Sequence, residues 1–525
     1  MAKSDEFRKH IQKGYTFKGD SILLGGGMMD GESVSETLIK APLRTFNRHG
    51  LIAGATGTGK TKTLQNIAER LSEKGVPVLL MDVKGDLSGL AAASDGHEKI
   101  DERHEKIGAP WEGRAYPVEL LSLSKEKGAK LRATLTEFGP ILFSKILGVN
   151  ENQAGIISVV FKYCDDNDLP LLDLKDFKKA LQYVTYEGKE EVQEDYGRIS
   201  TASTGAILRR IVELEEQDAQ RFFGERSFDV EDLMQTDEDG LGVINIIRLT
   251  DIQDRPKLFS TFMLSLLAEI YSTMPEVGDK EDPQLVLFID EAHLIFKEAS
   301  KALLEQIETI VKLIRSKGVG LFFVTQLPTD VPDVVLSQLG MKVQHAMRAF
   351  TAKDRKAIKL TAENYPISPY YDTDEVLTQL GIGEAFITVL NEKGIPTPLV
   401  HTLLTAPSSR MDVLKKVEID RLVKQSTLIE KYNKRVDRRS AYEMLNEKME
   451  EAKRLAEEEA AREERRKARE KASRSRTSSR TSSRRTTTTR RRRKKSTLEE
   501  IAGSRATQTL IRELTRGLLG ILVKK

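Results

Sequence analysis

The sequence has little cysteine and no long apolar run. Cys164 is the single cysteine among 525 residues, which excludes an internal disulfide and a cysteine-based zinc site. The N-terminal residues MAKSDEFRKH contain no apolar signal core, and no stretch of about 18 apolar residues occurs anywhere in the chain. These absences predict a cytoplasmic protein that does not enter a membrane.

The net charge of +3 conceals an uneven distribution. Residues 471–495 contain 12 Lys/Arg and no acid, so the rest of the chain carries a charge of 3 − 12 = −9. Charged residues make up 31% and apolar residues only 39% of the chain, which indicates a solvated or disordered segment beside the globular part. A chain of this length is expected to form two or three folding units.

Strand and helix patterns alternate in two separated parts of the chain. Residues 47–90 contain a short apolar strand at Gly50–Ala53, a helix with apolar residues at helical spacing, and a buried-type strand at 76–81. This strand, helix, strand order predicts the start of a parallel sheet. Helical periodicities dominate residues 91–240, and predicted strands then follow at 242–247, 285–289, 320–325, 345–350 and 384–390.

A glycine-rich loop joins the first of these strands to its helix. Its sequence GATGTGKT fits G-x-x-x-x-G-K-[ST] at every fixed position. Such a loop turns its amide N–H groups toward phosphate oxygens, and the helix that follows adds its positive N-terminal end. The Lys60 ammonium would reach the β- and γ-phosphates, and the Thr61 hydroxyl would be a Mg²⁺ ligand. The predicted ATP-binding residues are Gly54, Ala55, Thr56, Gly57, Thr58, Gly59, Lys60, Thr61 and Lys62.

Two acids follow the apolar strand at 285–289. They lie at its carboxyl end, where parallel α/β sheets bind ligands. Asp290 is the predicted Mg²⁺ ligand, and Glu291 is the predicted general base that polarises the attacking water. The presence of both acids indicates hydrolysis rather than nucleotide binding alone. No Asn-Lys-x-Asp element for guanine follows the loop, so a GTPase is not expected.

The remaining candidates have structural alternatives. Gln326, after Thr325, could sense the γ-phosphate and orient water, or could be an ordinary polar strand end. Arg315 and Arg348 could each complete the site of a neighbouring subunit, or could form salt bridges. A second set ends the second sheet strand and could contact nucleotide, Mg²⁺ or a neighbour, or form a solvated turn: Asp82, Lys84 and Asp86. Residues predicted to be structural are the histidines His49 and His293 and the turn Gly25-Gly26-Gly27.

Five segments of the chain carry a family resemblance: NRHGLIAGATGTGKT (47–61), MDVKGD (81–86), LVLFIDEAHLIF (285–296), GVGLFFVTQ (318–326) and QLGMKVQHAMR (338–348). With these segments, most of the chain resembles the bacterial HerA-like helicase family, in the HerA/FtsK group of P-loop DNA motors. The residue patterns and the resemblance together predict an α/β fold, with a RecA-like P-loop ATPase sheet, a mostly helical insertion and a helical, partly disordered C-terminal tail. The resemblance also implies a homo-oligomer, expected as a hexameric ring, that hydrolyses ATP between subunits around duplex DNA.

Domain boundaries follow from the patterns and the resemblance together. Archaeal HerA proteins have an N-terminal β-barrel that docks the NurA nuclease, whereas about 50 residues with one possible strand at 21–24 precede the loop here. A NurA-type partner is therefore not expected. The predicted divisions are an N-terminal segment 1–46, an ATPase domain 47–90 and 241–406, a helical insertion 91–240, a charged helical extension 407–470, a basic disordered linker 471–496 and an amphipathic helix 497–525.

Two functions remain in competition. The first is an ATP-driven translocase or helicase on DNA, for which the basic residues 471–495 would supply nucleic-acid capture. The second is an assembly or remodelling ATPase that acts on a protein partner. The acidic body of the chain is an argument against the first function, and the basic segment could also be a solubilising linker.

Overall fold

The computed structural model describes residues 2–252, 254–278, 282–297, 301–434, 436 and 438–478. Among these residues, one compact unit comprises 2–138, 145–148 and 212–436. A second compact unit comprises 139–144, 149–211 and 438–478. No helix in this described part of the chain combines the length and the apolar character that crossing a membrane requires.

The first unit is built on one twisted sheet. Its apolar and β-branched runs form buried strands, whose side chains supply most of the core. The strands are β1 Ser21–Met29, β2 Glu32–Pro42, β3 Gly50–Ala53, β4 Val78–Asp82, β5 Val118–Ser122, β6 Ala129–Lys130, β7 Ile244–Arg248, β8 Leu285–Ile289, β9 Val319–Thr325, β10 Met341–Gln344, β11 Glu384–Thr388 and β12 Val400–Leu404.

The strand order is β2-β1-β12-β11-β10-β3-β9-β8-β4-β7-β5-β6. The strands from β10 to β6 run parallel, and the remaining neighbours are antiparallel. Ala53 at the end of β3 is opposite Thr325 of β9 and Gln344 of β10. Met81 of β4 is opposite Ile289 of β8. The carboxyl ends of these five strands therefore form one edge, the place where parallel sheets bind ligands.

Helices cover the sheet and form the second unit. They are α1 Ala2–Gly14, α2 Lys60–Glu73, α3 Glu98–Ile107, α4 Leu135–Leu147, α5 Glu151–Asp166, α6 Leu174–Thr185, α7 Lys189–Tyr196, α8 Thr201–Glu215, α9 Pro256–Thr273, α10 His293–Lys297, α11 Lys301–Leu313, α12 Asp333–Leu336, α13 Ala352–Glu363, α14 Thr373–Gln379, α15 Lys416–Gln425, α16 Thr427–Asn433 and α17 Ala441–Ser478.

The second unit combines part of the insertion with the polar helix α17. Phe143 and Phe177 meet edge to face, with ring centroids 4.9 Å apart. Helix α17 packs on α6, where Tyr442 N donates to Asp176 Oδ1 at 3.0 Å and Leu445 is fully buried. The middle of the predicted charged extension, around Tyr442 and Leu445, therefore packs within its own chain.

Residues 91–240 are not only helical. Strands β5 and β6 lie in this range and continue the parallel sheet beside β7, so the description of the range as a helical insertion omits two strands. The two strands are short, with five and two residues. β6 is too short to give a strand signal, which needs about four to eight residues. β5 is long enough, but its sequence VELLS does not alternate strictly, and a short apolar run of this kind cannot be told from a helix segment by periodicity.

The N-terminal segment is also part of the sheet. Residues 21–24 begin β1, which continues through Gly25-Gly26-Gly27 and pairs with β2 and β12. The prediction of a turn at these glycines is wrong. A Cβ at Gly25 would lie 2.1 Å from the Leu403 carbonyl oxygen, so glycine is required there by the close approach of β12.

Two further boundaries differ from the prediction. A strand was expected at 345–350, but the strand in this region is β10, which lies earlier, at Met341–Gln344. Residues 471–478, predicted as the start of a disordered linker, are the last turns of α17. The rest of that predicted linker and the predicted helix 497–525 lie outside the described residues.

Candidate nucleotide-binding and hydrolysis site

The glycine-rich loop leaves β3 and enters α2 under two backbone constraints. Gly54 has a φ of +150°, and a Cβ there would lie 2.5 Å from the His345 Cβ. Gly59 has a φ of +109° and precedes the first residue of α2. Both positions require glycine, for close approach at the first and for the left-handed backbone at the second.

Segments from neighbouring strands hold the loop in place. Gly54 N donates to the Thr325 carbonyl at 3.3 Å, and Ala55 N donates to the Ala346 carbonyl at 2.8 Å. The Thr58 hydroxyl donates to the Ala55 carbonyl at 2.8 Å. The end of β9 and the chain after β10 thus fix the turn that would bind phosphate.

Lys60 is buried inside this loop. Its side chain donates to the Ala55 carbonyl at 3.1 Å, and the residue is only 6% exposed. Burial lowers the pKa of Lys60, and the charge of Lys84 acts in the same direction. A buried ammonium at the N-terminus of α2 is a suitable partner for a phosphate group. The negative charge of the phosphate would replace the stabilisation that the ammonium loses when it is taken out of water.

Lys62 is directed elsewhere. Its ammonium donates to Gln65 Oε1 at 3.0 Å and to the carbonyl of Met411. Met411 belongs to the segment that follows β12, so this lysine ties that segment to α2. A direct contact between Lys62 and nucleotide stays a prediction.

Asp290 follows β8 and is almost fully buried, at 3% exposed. Its Oδ1 accepts a hydrogen bond from Glu291 N at 2.9 Å. Its Oδ2 is buried and has no hydrogen-bond partner among the described residues. Burial raises the pKa of Asp290 to about 7, although Lys84 opposes the rise. An oxygen without a partner fits a hard divalent cation, so Asp290, together with Thr61 in the first turn of α2, fits Mg²⁺.

Glu291 has a left-handed backbone with a φ of +48°. Such a φ is rare in residues with a side chain and is found preferentially at functional sites. Its Oε1 lies 2.5 Å from Lys84 Nζ. Its Oε2 lies 3.3 Å from His293 Nδ1, outside hydrogen-bond geometry. His293, expected from the sequence to be structural, therefore lies beside the predicted base.

The loop after β4 is organised by Asp82. Asp82 Oδ1 accepts hydrogen bonds from Gly85 N at 2.6 Å and Asp86 N at 3.1 Å, and its Oδ2 accepts one from Leu87 N at 3.3 Å. Burial raises the pKa of Asp82 to about 6, and Asp86 adds to the rise. Asp82 therefore has a structural role, because it holds the backbone of this loop. Lys84 of the same loop lies beside Glu291, after β8. The loop is thus more specifically arranged than a solvated turn.

Gln326 lies at the same sheet edge as the loop. Thr325 is opposite Ala53, and its hydroxyl donates to Asp330 Oδ2 at 2.6 Å. Gln326 follows and is exposed. This placement brings the Gln326 backbone to the nucleotide edge, and its contact with a γ-phosphate stays a prediction.

The two candidate arginines lie at opposite edges. Arg348 is exposed, two residues after the Ala346 carbonyl that binds the loop. Arg315 precedes β9, whose seven residues span roughly 23 Å. Arg315 therefore lies away from the loop of its own subunit. A role for either arginine in the site of a neighbouring subunit stays a prediction.

Two histidines have defined places in the fold. His345 is fully buried below the loop, with Nε2 2.9 Å from the Thr63 hydroxyl. Burial lowers the pKa of His345 to about 4, and Lys60 acts in the same direction. His49 accepts from Leu321 N through Nδ1 at 3.0 Å, and its Nε2 lies 2.8 Å from the Val311 carbonyl. Sequence reasoning missed His345, because the strand expected at 345–350 placed this residue at the start of a strand, whereas the structure places it directly after β10.

Comparison with known proteins extends these observations. A family model described as Helicase HerA-like C-terminal matches residues 28–525. The DNA double-strand break repair helicase HerA of Sulfolobus acidocaldarius is 23% identical over 388 residues, which cover 72% of this chain and 69% of that protein. The probable helicase MJECL08 of Methanocaldococcus jannaschii is 25% identical over 383 residues, covering 67% and 66%. The chain spans 64–69% of the length of the curated relatives it matches.

A solved structure has the same fold. The bacterial conjugative coupling protein TrwBdeltaN70 is 14% identical, with a TM-score of 0.50 over 78% of this chain and 95% of that chain. This likeness confirms the predicted P-loop α/β fold. The family model confirms the predicted class of ATPase. The chain belongs to the Helicase HerA-like C-terminal family.

Proposed function

We propose that the chain is an ATP-hydrolysing motor that translocates on or unwinds DNA. The observation that carries the proposal is that Lys60, Asp290 and Glu291 lie at one sheet edge, close enough for the charges of both acids to act on Lys60. Lys60 begins the helix after β3, and the acids follow β8, with β9 between these two strands. Membership of a helicase family supports the same activity. The DNA substrate follows the names of the relatives, which include a DNA double-strand break repair helicase.

The residues of the chain divide the work of hydrolysis. The loop amides and Lys60 bind the phosphates and balance the charge that develops on them. Glu291 accepts a proton from water as the water oxygen attacks the γ-phosphorus, and Gln326 orients that water. The bond between the γ-phosphorus and the β–γ bridging oxygen breaks, so that ADP leaves and inorganic phosphate is formed. Thr61 and Asp290 would hold Mg²⁺, which would supply positive charge to neutralise the phosphates. Lys60 and Asp290 are buried, and bulk water is excluded from them. Burial therefore strengthens the electrostatic interactions that these two residues would make with phosphate and with Mg²⁺.

The proposed assembly is a homohexameric ring with duplex DNA in its channel. Arg315, or Arg348, would enter the site of the next subunit and stabilise the transferring phosphoryl group. Arg315 supports a site between subunits because it lies at the sheet edge opposite its own loop. A NurA-type nuclease is not part of the proposal.

The test is ATP hydrolysis by the full chain with and without duplex DNA at moderate salt. We expect DNA to stimulate turnover by about tenfold or more at saturating ATP. Lys60→Ala is the control and should remove both basal and stimulated hydrolysis. Hydrolysis that is insensitive to DNA but accelerated by a protein partner would contradict the motor and support the remodelling ATPase.

A further inference from the structure

The turn at 381–383, directly before β11, lies against the glycine-rich loop. Gly383 N donates to the Thr58 carbonyl at 3.1 Å. A Cβ at Gly59 would lie 3.3 Å from Gly383 N, so the two backbones are in close contact. β11 is antiparallel to β10, and its first residues therefore lie at the edge where the parallel strands end. The turn and the loop are thus neighbours at the nucleotide edge of the sheet.

Two side chains hold this turn in place. Arg103 of α3 donates to the carbonyls of Ile382 at 3.2 Å and Gly383 at 3.0 Å. Glu384 Oε2 accepts a hydrogen bond from Gly381 N at 2.9 Å. Hydrogen bonds from both sides thus fix the backbone of the turn beside the loop.

Ile382 is the apolar side chain of this turn, and it is 72% exposed. Single exposed apolar side chains are common on protein surfaces and need no explanation by themselves. Ile382 differs in its place, because its fixed backbone holds it next to the loop that would bind phosphate. An apolar side chain in that position gains free energy when the apolar part of a bound ligand covers it.

The acids after β8 determine the direction in which a nucleotide would lie. Asp290 and Glu291 lie on the side of β3 where β9 and β8 follow in the sheet. The γ-phosphate and its attacking water would therefore face that side of the loop. The nucleoside is the opposite end of the triphosphate, so it would leave the loop toward β10 and β11. The turn at 381–383 lies on that side.

We propose that Ile382 binds the nucleoside of ATP, by apolar contact with the face of its base beside the phosphate loop. The inference rests on the proposed function, because it concerns the nucleotide of the same site. The contact adds affinity through buried apolar surface and without a hydrogen bond to the base. Removing the side chain should therefore weaken the binding of nucleotides and leave the binding of bare phosphate groups unchanged.

The test measures the binding of ADP and of pyrophosphate to the full chain by titration calorimetry in the presence of Mg²⁺. Pyrophosphate lacks the nucleoside, so a change confined to ADP reports contacts outside the phosphate loop. We expect Ile382→Ala to weaken ADP binding by about threefold or more, because buried apolar surface is lost. Its affinity for pyrophosphate should stay within about twofold of the wild type. In steady-state hydrolysis, KM for ATP should rise more than kcat changes.

Two control variants make the result specific. Ile382→Leu keeps the apolar surface and should bind ADP more tightly than Ile382→Ala does. Ile395 is 55% exposed in the turn after β11, at the opposite end of that strand. Ile395→Ala should bind both ligands as the wild type does. Thermal melting checks the fold of each variant, and Ile382→Ser takes the place of Ile382→Ala if that variant does not fold.

Each alternative gives a different result. Binding of ADP by Ile382→Ala with the wild-type affinity would overturn the inference and leave the proposed function intact. An equal loss of ADP and pyrophosphate binding would also overturn it, because the turn would then support the phosphate loop and not the nucleoside. If the wild type binds neither ligand, the nucleotide site itself is wrong, and the inference is wrong with it. If the wild type binds both ligands but DNA never stimulates hydrolysis, the motor proposal alone is wrong, and calorimetry still decides the inference.

Discussion

Replacing Glu69 should loosen the segment after β12 from the helix of the phosphate loop. Glu69 lies on α2 and is fully buried. Its Oε2 accepts from Ser408 N at 2.7 Å, and its Oε1 accepts from Ser409 N at 3.1 Å and from the Ser409 hydroxyl. In Glu69→Gln, one acceptor becomes an NH₂ donor that faces another donor. We expect a loss of about 1–3 kcal/mol of stability from the unsatisfied buried group.

The difference in stability between the wild type and Glu69→Gln should depend on pH. Burial raises the pKa of Glu69 from 4.5 to about 7, against the opposing hydrogen bonds from Ser409 and Ser408. The folded protein then holds this proton more tightly than the unfolded chain. The stability contributed by Glu69 is fully present below about pH 4.5 and falls as pH rises to about 7, by roughly 3 kcal/mol in total. The glutamine side chain does not titrate, so the variant lacks this pH-dependent contribution to stability.

The assay is the melting temperature of wild type and Glu69→Gln at about pH 5 and about pH 8. The wild type should exceed the variant by more at the lower pH. The change in that difference should be about 5 °C, because 1 kcal/mol shifts the melting temperature of a large domain by roughly 2 °C. The exposed Glu102 on α3 provides the control. As a surface substitution, Glu102→Gln should change the melting temperature by no more than about 1 °C. A deficit of Glu69→Gln that is constant or grows with pH would refute the reasoning.

Two further predictions concern the assembly and its substrate. Mixing Arg315→Ala or Arg348→Ala subunits with Glu291→Gln subunits should restore part of the ATPase activity, because some interfaces regain an intact base and an intact arginine; a fully active monomer would exclude sites between subunits. Replacing the nine Lys/Arg of residues 480–495 with Ser and Gln should flatten the salt dependence of DNA binding, since each phosphate contact adds about 0.9 to the slope of log K against log salt. Basal hydrolysis should be unchanged, and equal slopes for both proteins would mean that this segment does not bind nucleic acid.

The sequence was informative where a few adjacent residues carry both structure and chemistry. The loop from Gly54 to Thr61 needs particular residues at fixed spacing, and so do the acids after the apolar strand β8. Because the strands that carry them are parallel, their carboxyl ends meet at one edge. The fold of the ATPase core and the pairing of the loop with Asp290 and Glu291 were therefore predictable.

The contacts that join distant segments were not predictable. Glu69 meets Ser408 across 339 positions, and nothing local to either residue indicates the contact. Lys84 was weighed as a residue of a turn, and its pairing with Glu291 requires the order of β4 and β8 in the sheet. Strands β1, β2 and β12 extend the sheet by antiparallel pairing. The three consecutive glycines of β1 resemble a turn when only the sequence is read.

The most direct test of the account is hydrolysis by Glu291→Gln with ATP bound. Binding of ATP and its turnover are measured on the same preparation, beside the wild type and Lys60→Ala. The account predicts that Glu291→Gln binds ATP with near wild-type affinity and hydrolyses it at least about a hundredfold more slowly, because only the base is removed. Lys60→Ala should lose binding itself. Hydrolysis by Glu291→Gln at the wild-type rate would contradict the assignment of the catalytic base.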